Sequence, residues 1–203
     1  MNFLAHIFLS GTNEQIIIGN FIGDWIKGND FKNYPQDVQK GIIIHRSIDS
    51  FTDSHPLVRQ SKSRLNDQYH KYSGIIIDIF YDHFLAYNWE KYSSVALLDF
   101  TRDLNQILTS NIEILTPDMQ EFFPRFMKRK WMETYGTIEG IENVLNGMSR
   151  HTSLPDKTID AIRILKINYD SFRDEFFEFF PLIIEHIENT FQIPILENLP
   201  NNV

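Results

Sequence analysis

No cysteine occurs in the 203-residue chain, which removes disulfides, thiolate metal sites and cysteine nucleophiles together. That absence agrees with a reducing compartment. No apolar run approaches the roughly 18 residues that a membrane span needs. The opening segment "MNFLAHIFLSG" has a short apolar run and no basic leader, so a secretory leader is not expected. Cations are in deficit: 19 Lys and Arg face 27 Asp and Glu, for a net charge of -8. General nucleic-acid binding depends on neutralising phosphates, so that balance argues against it. A cytoplasmic chain with neither a membrane nor a nucleic acid as partner is the expectation. Also missing are G-x-S-x-G, a Walker A loop and H-E-x-x-H. Serine hydrolases, P-loop NTPases and the common zinc peptidases are disfavoured accordingly.

Core-forming material is plentiful. Hydrophobic residues make up 42% of the chain and include 17 Phe, so a globular fold is expected and disorder is not. Strand-like alternation is nearly absent. "GIIIH" and "GIIID" would pass for short strands, but their flanks continue a helical pattern. Helices are expected near 1–10, 13–27, 35–53, 56–71, 73–91, 94–113, 117–130, 137–150 and 156–190. Serines before "VALLDF" and Thr116 before Pro117 are the candidate caps. Pro181 should kink or split the last helix. With no repeat and no low-complexity linker, one all-α domain over 1–203 is the expectation, frayed over 195–203.

Polar residues on apolar faces carry the chemistry. On a wheel of about 100° per residue, His45 and Asp49 fall with Val38 and Ile42. They are four apart and face inward. "GIIIDIFYDHFLAYNW" is apolar almost all round, yet holds Asp78, Asp82 and His83. Like charges at that spacing repel, so a cation beside the two aspartates, or catalytic use of them, is expected. In "IIIGNFIGDWIKG", Asn20 and Asp24 share a face with Ile17, among glycines that allow close backbone approach. His6 sits alone in "MNFLAHIFL". Each of these also has a bland reading: a paired core His and Asp, a small-residue helix contact, a core histidine with one hydrogen bond.

Four N-terminal segments thus place His, Asp or both in apolar surroundings. Without cysteine, the ligands are imidazole nitrogens and carboxylate oxygens, which suit Mn²⁺, Fe²⁺, Zn²⁺ or Mg²⁺. Such an ion activates water and offsets phosphoryl charge, with Arg46 or Lys27 near enough in sequence to hold a phosphate. Hydrolysis of a phosphate ester is the expected reaction class. A nucleotide or other small ester as substrate, or a non-catalytic helical binding protein with structural His and Asp pairs, stand as alternatives.

Taken in order, "MNFLAH", "GNFIGDWIKG", "GIIIHRSIDSFTDSHP", "DIFYDHFLAYNW" and "NVLNGMSR" resemble the bacterial acyl carrier protein phosphodiesterase family over most of the chain. The resemblance implies an all-helical fold related to the histidine–aspartate metal-dependent phosphohydrolases. It implies hydrolysis of the phosphodiester joining 4′-phosphopantetheine to a serine of acyl carrier protein, in lipid metabolism. A divalent cation, Mn²⁺ first, is implied as cofactor, with a hydroxide held on it attacking phosphorus. His6, Asp24, His45, Asp78, Asp82 and His83 match family motifs and are the expected ligands. Asp24, Arg46 and Asp49 are the expected catalytic groups, and Lys27 and Arg150 the substrate contacts. The chain has no His followed directly by Asp; it has Asp82-His83 and His45-Arg46 instead.

Overall fold

The computed structural model describes residues 1–195, with the backbone alone at Trp131. Twelve α-helices and several short 3₁₀ turns account for most of them, and no strand occurs among the described residues. The frayed tail expected at 195–203 lies outside them apart from Ile195.

The first helix, α1, covers Phe3–Phe8, and α2 covers Glu14–Ile22. Asn2 caps α1 by accepting from the Phe3 amide; Asn13 caps α2 by accepting from the Gln15 and Ile16 amides. These side chains satisfy amides that have no partner inside the helix. The stretch expected to run as one helix to residue 27 tightens at Gly23 into a 3₁₀ turn, Gly23–Trp25, which carries Asp24. Helix α3, Gln36–Ser54, matches its expected span to within a residue. It ends where His55, extended before Pro56, turns to cap α4 (Pro56–Ser63) by accepting from the Leu57 amide.

The segment expected as one helix over 56–71 is broken. Helix α4 stops at Ser63, a single turn α5 covers Asn66–Tyr69, and His70 takes a positive φ of 47°. Helix α6, Ser73–Tyr87, follows and is buried on nearly every side. Then come α7 (Leu97–Ser110), α8 (Pro117–Lys128), the short α9 (Trp131–Thr134) and α10 (Ile138–His151). Neither a serine nor Thr116 bonds a helix start: Ala96 holds the cap position of α7, and the Thr116 hydroxyl makes no cap bond.

The last helical stretch divides at Asn168 and not at Pro181, giving α11 (Thr158–Ile167) and α12 (Tyr169–Phe191). Asn168 closes α11 by donating from both backbone and side chain to the Ile164 carbonyl. Pro181 lies on the exposed side of α12, while Phe176, Phe179, Phe180, Ile183 and Ile184 bury the other side. That packing holds the helix across the missing amide. The result is one core, with α6 at its centre against α1, α4, α10 and α12, and with α2 laid closely along α3.

Candidate metal centre

Closeness of α2 to α3 builds the site. A Cβ on Gly19 would stand 2.1 Å from the Val38 carbonyl oxygen, and one on Gly41 2.2 Å from that of Ile16. Only glycine permits this approach. It brings Asn20 and Asp24 against His45 and Asp49. Helix α1 crosses the same point and delivers His6, whose ring stacks on that of His45 at 4.2 Å between centroids.

The hydrogen bonds fix both imidazoles. Asn20 is fully buried, and its Nδ2 donates to the His6 carbonyl and the Ser10 hydroxyl, each at 2.8 Å. A carbonyl can only accept, so the amide orientation of Asn20 is set and its Oδ1 faces the rings. His6 Nδ1–H donates to that oxygen at 2.9 Å. His45 Nδ1–H donates to the Asn20 carbonyl at 2.9 Å, with Asn20 Oδ1 3.2 Å away. Each Nε2 therefore points away from Asn20. That of His6 lies 3.2 Å from Asp49 Oδ1; that of His45 lies 3.3 Å from both Asp49 Oδ2 and Asp24 Oδ1.

Charge and burial pull against one another here. Burial pulls the His45 pKa down, but hydrogen bonds and charge from Asp24 and Asp49 outweigh it and raise the value to about 9. His6 is lowered, chiefly by burial. Asp24 is held below the usual carboxylate range by its bond to His45. Burial would raise Asp49, yet its bonds to His45 and His6 hold it well below that range. Both histidines are buried, whereas the Asp49 and Asp24 side chains are 45% and 68% exposed. The carboxylates thus face a cavity of about 370 Å³ that also reaches Phe3, Thr52, Asp78 and Met148.

One donor atom each from His6, His45 and Asp49 lies within 4.8 Å of the others, a spacing that one cation can bridge. The nitrogen and oxygen donors suit a divalent ion, and a second carboxylate, Asp24, stands within 3.3 Å of His45. Imidazoles backed by a fixed acceptor on the far nitrogen are the usual arrangement around bound metals.

Several expected site residues lie elsewhere. Asp82 is fully buried and accepts from the amides of Asn2, Leu4 and Ala5 at 3.2, 2.9 and 3.4 Å. It caps the start of α1 and does not join the cluster. Burial pushes its pKa up to about 7. Asp78 reaches the cavity but pairs with the Met1 ammonium at 2.7 Å. Each of the two carboxylates thus has protein partners of its own. His83 turns to the far side of α6, donating from Nδ1 to the Tyr135 carbonyl at 2.7 Å with Nε2 2.9 Å from the Tyr169 hydroxyl. Arg46 donates to the Ile26 carbonyl at 3.0 Å and lies over the Phe31 ring, so it braces the loop before α3. Lys27 folds back to the Asp24 carbonyl at 2.8 Å. Arg150 is exposed on α10, two residues beyond Met148 at the cavity wall.

Two cavity contributors were missing from the expected set. Asn20 was visible as a polar residue on an apolar face. Thr52 continues the His45–Asp49 series by one more turn of α3. It is 1% exposed, and its Oγ1 is the buried side-chain polar atom without a hydrogen-bond partner among the described residues.

Fold and site together define an all-helical protein with a buried histidine pair and an open carboxylate edge, whose donor atoms lie close enough together to hold a cation. The acyl carrier protein phosphodiesterase family matches residues 1–183, and the chain belongs to that family. A protein of Enterobacter sp. (strain 638), named acyl carrier protein phosphodiesterase, is 32% identical over 197 residues, covering 93% of this chain and 98% of its own length. One of the same name from Photorhabdus laumondii subsp. laumondii is 33% identical over 197 residues, covering 93% and 96%. A third, from Salmonella agona, is 32% identical over 189 residues, covering 89% and 94%. No solved structure matches the chain.

Proposed function

We propose that the chain is an acyl carrier protein phosphodiesterase, converting holo-acyl carrier protein to the apo form and 4′-phosphopantetheine. The observation that carries this reading is the convergence of His6 from α1, Asp24 from the 3₁₀ turn after α2, and His45 and Asp49 from α3 on one open cavity. His6, His45 and Asp49 would hold a divalent cation, with Mn²⁺ the first choice and Asp24 beside it. When bound, the cation lowers the pKa of water and offsets charge on the phosphoryl oxygens.

The chain's own groups supply the rest. Asn20 keeps both Nε2 atoms aimed at the site. Asp24, largely exposed at the edge of the cavity, accepts the proton of the attacking water. Water oxygen bonds to phosphorus as the bond from phosphorus to the serine oxygen breaks, and the proton passes from Asp24 to that serine oxygen. Arg150, exposed on α10, is the remaining candidate for a contact with the substrate. Lys27 and Arg46 are withdrawn from that role by their bonds to backbone carbonyls. A relation to the histidine–aspartate phosphohydrolases and a cytoplasmic location belong to the same reading; no described helix is long and apolar enough to cross a membrane.

Mass spectrometry of a carrier protein tests it. Metal-stripped protein should leave the holo-carrier unchanged, and protein restored with Mn²⁺ should convert it to the mass of the apo-carrier. An unchanged carrier beside turnover of nucleotides would replace the carrier with a small phosphate ester. No metal uptake and no turnover of either would return the cluster to a structural role.

A further inference from the structure

The cavity at the cluster does not end at Asp78. A second cavity of about 540 Å³ shares Asp53, Ile75 and Asp78 with it and runs on past Asn66, Ser73 and Gly74. The two form one groove, from the His and Asp cluster to the start of α6. Two ion pairs close within it. Lys62 pairs with Asp53 at 2.6 Å, and Asp78 pairs with the Met1 ammonium. Lys71, at the far end, lies over the Tyr72 ring. What the walls still offer is hydrogen bonding. The Asn66 side-chain amide N–H groups have no bond to the protein among the described residues, and Ser73 Oγ lies 2.8 Å from Asn66 Oδ1. Thr52, with its unpartnered buried hydroxyl, lines the cluster end, next to Asp53. No Phe, Tyr or Trp lines the second cavity, and its one ring is the His70 imidazole, so a nucleobase would find no large aromatic face to stack on.

We infer that this groove binds the uncharged, amide- and hydroxyl-bearing arm esterified to the phosphate, and so orients the diester with the arm towards α5 and α6 and the carrier protein on the opposite rim. This rests on the proposed phosphodiesterase reading and names the arm's seat within it. A neutral chain rich in amides gains from donors and acceptors already in place and does not disturb the paired charges. A charged group lying between the cluster and Gly74 would compete with the Lys62–Asp53 or Met1–Asp78 pair. The groove thus sets which side of the phosphate is which, and Asn66, Ser73 and Gly74 become residues that determine specificity.

Gly74 provides the test. A Cβ there would meet only the flexible end of Lys62, at 3.3 Å, so a larger side chain enters the groove without striking backbone. Binding of free 4′-phosphopantetheine and of inorganic phosphate to the Mn²⁺-loaded protein is measured by calorimetry. The wild type should prefer 4′-phosphopantetheine by roughly tenfold or more, and Gly74→Leu should lose most of that preference. Asn66→Leu should lose part of it, and it keeps the test alive should the first variant not fold. Phosphopantetheine bound no tighter than phosphate, or a preference that survives both substitutions, overturns the groove assignment. Carrier mass, read separately, reports the proposed reaction: a carrier cleaved by a protein without the preference sinks the groove alone.

Discussion

Each imidazole of the cluster is held from behind by Asn20, which takes both Nδ1 protons while tying down the end of α1 through His6 and Ser10. Replacing Asn20 by Ala strands the buried His6 ring N–H, at a cost of about 1–3 kcal/mol, while His45 keeps its bond to the backbone carbonyl of residue 20 and Ser10 its bond to the His6 carbonyl. The His6 ring also loses the acceptor that fixes its tautomer, so Mn²⁺ affinity should fall by roughly 10- to 100-fold. Titration of the folded variant with Mn²⁺ checks this, and wild-type affinity would take the orienting role from Asn20. A second consequence concerns protons. In the metal-free protein the His45 pKa stands at about 9, because Asp24 and Asp49 outweigh burial. A raised histidine stabilises the fold fully below its unfolded value, about 6.5, and that contribution fades as pH rises through the folded value. Cation uptake runs the other way, since it needs the neutral ring. Mn²⁺ affinity should therefore climb with pH, by up to about tenfold per unit below 9, and level off above. A flat profile from pH 6.5 upward would mean that His45 does not release a proton to the ion.

At the scale of the helices, three glycines decide whether the cluster assembles. A Cβ at Gly23 would stand 2.2 Å from His45 Cγ, and the ring cannot retreat because its Nδ1 is bonded to Asn20. Gly23→Ala should abolish metal binding in a chain that still folds, read by circular dichroism beside a metal titration. Gly41→Ala instead strikes backbone, 2.2 Å from the Ile16 carbonyl, and should force α2 off α3. We expect it to lower stability by about 1–3 kcal/mol, the usual cost of overpacking. A wild-type melting temperature would show that the two helices can part without loss. Much of this was legible in the sequence. Period and the flanking prolines gave α3 nearly to the residue, and the wheel put His45 and Asp49 on its inner face. Asp82 shows what stays hidden. Its apolar surroundings were visible, but its partners are the amides that open α1, some eighty residues away, and no local pattern announces which helix end a buried carboxylate will cap. His83 misled for a related reason: adjacent residues on a helix diverge by about 100°, so Asp82 and His83 serve opposite sides of α6. The break at Asn168 was missed because Pro181 was the stronger local cue, and packing of the α12 phenylalanines overrode it.

Across the whole molecule, the site and the far side of the bundle are supported by separate polar centres. Helices α1, α2 and α3 meet at the cluster, while α12 is fastened to α4 through Glu175, which is 5% exposed. Its carboxylate takes two bonds from Arg64, at 2.7 and 2.8 Å, one from Gln60 at 2.7 Å and one from the Ser61 hydroxyl. Arg64 also lies over the Phe172 ring, 5.2 Å from its centroid, so the guanidinium links both helices. Replacing Glu175 by Ala removes the only anion from this group and leaves a half-buried guanidinium without its charge partner. Breaking such a pair from one side costs about 3–5 kcal/mol. For a chain of this size each kcal/mol moves the melting temperature by roughly 2–4 °C, so a fall of about 6–20 °C is expected. Glu175→Gln, which keeps the shape and part of the bonding, should fall less. Well below its melting temperature the Ala variant should still take up Mn²⁺ with wild-type affinity, because none of the Glu175 contacts reaches His6, His45 or Asp49. A loss of metal affinity as large as that of Asn20→Ala would show that α12 sets the geometry of the cluster through α3, and the two centres would then have to be treated as one.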